Sequence, residues 1–153
     1  MDCTFIEPYP PDYLRTINLP GPLLAKRIEE VPLSTFQELG AGDVLFIDTS
    51  HVIKCQNDCC YEYLRVIPSL GADVHVQIHD IFTPFDYPAE WLLDKSYYFN
   101  EQYAVECLLT DNPRLRITLP VYWLLRKHPQ VLAKLYPLTD SLAGAIWMKT
   151  VAR

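Results

Sequence analysis

The clearest alternation along the chain runs from Val74 to His79. Val74, Val76 and Ile78 are apolar, while His75, Gln77 and His79 are polar. A period of two puts successive side chains on opposite faces of a strand. A near-continuous apolar run, Val44-Leu45-Phe46-Ile47, precedes it and has the character of a parallel strand covered on both faces. Between the two, Tyr63, Leu64, Ile67 and Leu70 recur at helical spacing. Asp58 is the expected cap of that helix, and Gly71 its end. Strand, helix and strand make a βαβ unit, and such crossovers join parallel strands.

The same reading extends outward. Thr4-Phe5-Ile6 is a short strand stopped at Glu7-Pro8, because proline cannot continue the ladder. Residues 11–17 suit one or two helical turns, and residues 22–28 hold a short strand. Leu33, Phe36 and Leu39 give a helix over 31–39, ended by Gly40 or Gly42. Residues 81–98 form a long loop carrying Phe82, Phe85, Tyr87, Trp91, Tyr97 and Tyr98, a length typical of lids and binding elements. Asn100 is the expected cap of a helix to Leu109, with Tyr103 and Cys107 outward. A strand over 115–119, a helix over 121–135 with Pro129 opening its second part, and a strand over 144–151 complete the chain. This alternation predicts one α/β domain, a Rossmann-like, mainly parallel sheet with flanking helices.

Composition narrows the function classes. The chain has 153 residues, half of them hydrophobic and 21% charged, which supports a packed core. Its net charge of -6 argues against a general nucleic-acid binder, which needs a basic face to displace counterions. No run approaches the roughly 18–20 apolar residues of a membrane span, and no leader peptide is evident, so a cytoplasmic setting is expected. The five cysteines form no framework pattern, consistent with reduced thiols. Cys55, Cys59 and Cys60 lie close to His51, but their spacing lacks the C-x-x-C pair of a zinc site.

Candidate chemistry gathers where strands end. In open α/β sheets, ligands bind beyond the carboxyl ends of the strands. Glu7, Asp48 and the pair His79-Asp80 hold those positions. Asp48, His79 and Asp80 are candidate ligands of one divalent ion. Carboxylates suit magnesium or manganese, and imidazole leans toward manganese, iron or zinc. His51, just beyond Asp48, titrates in the range of a general base.

Three segments carry a resemblance. They are Glu7-Pro8-Tyr9-Pro10, the run from Asp43 to His51, and His79-Asp80-Ile81-Phe82 followed by Pro84-Phe85-Asp86-Tyr87-Pro88. Together with Asn100-Glu101-Gln102-Tyr103 they resemble the later motifs of class I S-adenosylmethionine-dependent methyltransferases, most closely the bacterial small-molecule and glycan-associated branch. The resemblance implies that Glu7 binds the cofactor ribose hydroxyls. It implies that Asp48 and Asp80 hold a divalent ion such as magnesium or manganese, and that His51 is the base. A small-molecule or sugar hydroxyl is the implied acceptor. His79 stands where the family often has an acidic ligand.

The family's opening strand and glycine-rich loop have no counterpart ahead of Glu7. That strand would lie between those ending at Glu7 and Asp48. The expectation is a partial domain, truncated at the N-terminus, whose open strand edges call for a missing N-terminal segment or a homo-oligomer. Two other readings stand beside a methyltransferase. One is a non-catalytic, oligomerising remnant of the fold. The other is a hydrolase using a metal at Asp48, His51, His79 and Asp80.

Overall fold

The computed structural model describes residues 2–134 and 144–152. Two sheets form. In the smaller, β1 (Phe5–Ile6) pairs in parallel with β2 (Leu23–Leu24), and α1 (Asp12–Thr16) lies between them in sequence. A 3₁₀ turn (Ile28–Glu30) and α2 (Leu33–Gln37) then lead to the larger sheet. A turn closes before it: the Gly40 amide donates to the Asp43 carboxylate at 2.8 Å, and Gly42 takes a φ of 90°, where a side chain would be strained.

β3 (Val44–Ile47) and β4 (His75–His79) pair in parallel, with Ile47 opposite Ile78. The βαβ unit expected from the periodicity is therefore present. Its crossover is α3 (Asp58–Tyr61), a π-helical turn (Glu62–Val66) and α4 (Ile67–Ser69) in succession. Two local expectations are corrected. Asn57, not Asp58, caps α3, accepting from the Cys60 amide at 3.2 Å. Asp58 turns instead to Ser50, whose amide and hydroxyl donate to it at 2.8 and 2.7 Å. Leu64 is 71% exposed, and Cys59, Tyr63, Val66, Ile67 and Leu70 form the inner face. The π turn changes the residue count per turn, so a strict helical period misassigns the residue in its middle.

Beyond β4 come α5 (Ala89–Leu93), α6 (Glu101–Leu109), β5 (Leu115–Pro120), α7 (Val121–Lys127), α8 (Pro129–Leu132) and β6 (Ala145–Thr150). The end of the helix expected over 121–135 lies outside the described residues. β6 is inserted between β4 and β5, giving the order β3-β4-β6-β5, and it is antiparallel to both neighbours. β3, β4 and β5 thus share one direction and β6 opposes them, so the sheet is mixed. Alternation fixes which face a strand shows, but it carries no direction.

One face of the sheet, with Ile47, Val76, Ile78, Ile146 and Met148, packs on the crossover helix and on Val105 of α6. The segment 81–98 is less of an open loop than expected. Phe82 is fully buried, with its ring centroid 5.1 Å from Trp91 and 4.9 Å from Tyr122, so its inner aromatics serve packing. Among the described residues no helix is long and apolar enough to cross a membrane.

Candidate functional site

The parallel register of β3 and β4 decides the site. With Ile47 opposite Ile78, one further step brings Asp48 level with His79 at the carboxyl ends of both strands. The chain turns sharply after each. His51 and Asp80 adopt φ values of 57° and 55°, a left-handed conformation that costs energy in residues with a side chain. These turns aim four groups at one another. His51 Nε2 lies 3.3 Å from Asp48 Oδ1 and 3.6 Å from Asp80 Oδ2. His79 Nδ1 lies 3.0 Å from Asp80 Oδ1 and 3.7 Å from Asp48 Oδ1. The Asp48 and His79 side chains are about half exposed, at 51% and 45%, so the cluster opens to solvent.

His51 is the buried member, at 8% exposure. Its Nδ1 meets Glu101 Oε2 at 2.8 Å, and its ring lies 4.6 Å from that of Phe99. Its carbonyl accepts from the amides of Asn100 and Glu101 at 3.0 and 3.2 Å. Asn100 does not cap α6 with its side chain. Its Oδ1 accepts from the Ile53 amide at 2.5 Å and so ties the start of α6 to the His51 loop. Ser50, held by Asp58 and Asn57, fixes the other side of that loop.

Electrostatics follow from this packing. Burial acts to lower the His51 pKa, but the hydrogen bond and charge of Glu101, with Asp80 and Asp48 behind them, outweigh it and raise it. Burial holds the Asp80 carboxyl above the usual range, against the pull of His79 and His51. Cys59, buried beneath the loop, is pushed up to about 12 by desolvation and the Glu101 charge, which leaves it an inert thiol.

The structure therefore brings together Asp48, His51, His79 and Asp80. Among the described residues, the group able to hold a metal ion is Asp48, His51 and His79, whose ligand atoms lie within 4.8 Å of one another. In that group His51 stands where Asp80 is the expected ligand, and no cysteine belongs to it. Glu7 stands apart, at the end of β1 in the smaller sheet, its Oε1 accepting from the Tyr9 amide at 2.9 Å. The residue missed in the sequence is Glu101. A glutamate in the first turn of a helix looks like an ordinary helix-dipole partner, and only its complete burial sets it apart. No family model matches the chain, and no significantly similar curated protein or solved structure is found.

Proposed function

We propose that the protein is a class I, Rossmann-like S-adenosylmethionine-dependent methyltransferase acting on the hydroxyl of a small molecule or sugar. The observation that carries this reading is the meeting of Asp48, His51, His79 and Asp80 beyond the carboxyl ends of two parallel strands. The strand order gives further support. The resemblance calls for a strand between those ending at Glu7 and Asp48. Among the described residues β1 pairs only with β2 and β3 only with β4, so each offers a free edge.

In this reading His51 does the proton work. Its Nε2 faces the exposed part of the cluster and accepts the proton of an acceptor hydroxyl held there. Asp48 and Asp80 stabilise the imidazolium that results, and Glu101 holds the ring from behind. Phe99 walls one side of the imidazole and limits water there. Glu7 supplies a strand-end carboxylate suited to a ribose diol. The cofactor, when bound, supplies an electrophilic methyl group to the deprotonated oxygen.

A divalent ion such as magnesium or manganese also suits the cluster. Two imidazoles and a carboxylate form a fitting donor set, with one ligand atom from each of Asp48, His51 and His79 within 4.8 Å of the others. Asp48, His51 and His79 would hold it, with Asp80 beside them, and it would acidify the acceptor hydroxyl. One lone pair on His51 Nε2 serves either the ion or the proton.

The test is calorimetric titration of S-adenosylmethionine into the protein, with and without manganese, followed by labelled methyl transfer to a panel of diol and sugar acceptors. Binding and transfer are expected, with loss of transfer in His51→Gln. Silence in both arms of the titration overturns the reading.

A further inference from the structure

We propose that Glu101 is the positioning residue of His51, fixing Nδ1 as the protonated ring nitrogen and leaving Nε2 as the free one. Its catalytic consequence rests on the methyltransferase reading; the tautomer itself does not. Glu101 is fully buried, and its two oxygens are divided between partners. Oε1 accepts from the Tyr63 hydroxyl at 2.6 Å and from the Thr49 hydroxyl at 3.1 Å. Oε2 is left for His51 Nδ1, at 2.8 Å. A carboxylate has no proton to give, so the imidazole must donate. Nε2 then carries the lone pair, and it is this atom that faces Asp48 and Asp80.

The surrounding chain enforces the same orientation. The first amide of α6, on Glu101, and the one before it both bond the His51 carbonyl. Backbone and ring of His51 are thus gripped by a single segment, which compensates for the left-handed backbone at that residue. A merely structural carboxylate would need its three donors, but not this choice of ring nitrogen.

Glu101→Gln separates the two roles. An amide oxygen keeps the Tyr63 and Thr49 donors, which places the NH₂ group against Nδ1. That group only donates, so Nδ1 must accept and the proton moves to Nε2. Long-range ¹H–¹⁵N spectra read this directly. The protein has four histidines, and loss of one signal set in His51→Gln assigns the ring. In the wild type, neutral His51 is expected as the Nδ1–H tautomer. In Glu101→Gln it is expected as Nε2–H, with methyl transfer reduced on the order of 10²-fold or more and the KM for S-adenosylmethionine little changed. Tyr63→Phe removes a donor but not the carboxylate, and is expected to keep the Nδ1–H form.

A wild-type ring in the Nε2–H form overturns the proposal, as does a folded Glu101→Gln protein that keeps Nδ1–H. If Glu101→Gln does not fold, the wild-type and Tyr63→Phe spectra decide by the same criterion. Should no methyl transfer be found in any variant while the tautomers behave as described, the functional reading fails and the positioning role stands.

Discussion

His51 Nδ1 and Glu101 Oε2 meet at 2.8 Å although fifty positions separate them in the chain. The contact joins the loop after β3 to the start of α6 and is closed to solvent on the Glu101 side. It makes a polar loop residue into a buried, oriented imidazole whose other nitrogen looks onto an open acidic cluster. Carboxylate, imidazole and open acids in series are an arrangement that takes up a proton from, or lends a ligand to, whatever binds at the strand ends.

The raised His51 pKa sets a pH dependence with a definite sign. The neutral base exists only above that pKa, so the proposed methyl transfer is expected to fall on the acid side at a higher pH than an ordinary histidine would give. Stability runs the other way. The charged imidazole is favoured in the folded state, so its contribution is fully present below the unfolded value and is lost as pH rises through the folded one. A pH–rate profile, with denaturant unfolding of wild type and His51→Gln at pH 5.5 and pH 9, checks both limbs. Their stability difference is expected to shrink at the higher pH.

Much of this site was legible in the sequence because strand ends announce themselves. The apolar run stops at Asp48 and the alternation stops at His79, so parallel pairing of the two strands puts acid and imidazole on one edge. Glu101 was not legible, since nothing in Asn100-Glu101-Gln102 distinguishes a buried carboxylate from a helix-start acid. The reversed direction of β6 was equally hidden: Ile146, Met148 and Thr150 face the core whichever way the strand runs. The π turn is not legible because a helical period assumes a constant count per turn, which points Leu64 inward where the structure turns it to solvent.

Glu62 sits in that π turn, almost completely buried, with Oε2 lacking a hydrogen-bond partner. Burial first, and then the charges of Glu101, Asp58 and Glu29, push its pKa up to about 9. The folded protein therefore holds a proton that the unfolded chain gives up near the ordinary carboxyl range. Stability from this group is full below that range and is lost as pH rises toward 9. Glu62→Gln keeps the shape and removes the titration. It is expected to stabilise the protein at pH 8.5 by at least about 1 kcal/mol, and to flatten the fall in denaturation midpoint between pH 6 and pH 9.

β3 lies at the edge of the larger sheet and exposes Val44 by 49% and Phe46 by 60%. An apolar edge strand of this kind is a template for another strand, whether from a second copy or another segment. Phe46→Lys should reduce concentration-dependent self-association, measured by light scattering or sedimentation, while changing unfolding free energy by only about 0.5 kcal/mol. A wild type that stays monomeric across the accessible concentration range counts against an open edge.

Gly144 connects the aromatic cluster to the site. Its carbonyl accepts from the Asp80 amide at 2.8 Å, just where the chain turns out of β4. A Cβ at this position would lie 2.6 Å from Cζ of Phe82 and 2.9 Å from Cε2. The ring has little room to retreat, because Trp91, Tyr122 and Tyr87 pack around it and the Phe82 amide is bonded to Gln102 Oε1 at 2.7 Å. Gly144→Ala is therefore expected to cost about 1–3 kcal/mol in denaturant unfolding, the range of an overpacked core. Because the strain arises from a single pair of residues, Phe82→Leu should absorb much of it. The double variant is then more stable than the sum of the two single changes predicts, and a double-mutant cycle measures the difference. Additivity within about 0.3–0.5 kcal/mol would place the cost of Gly144→Ala elsewhere than at the Phe82 ring.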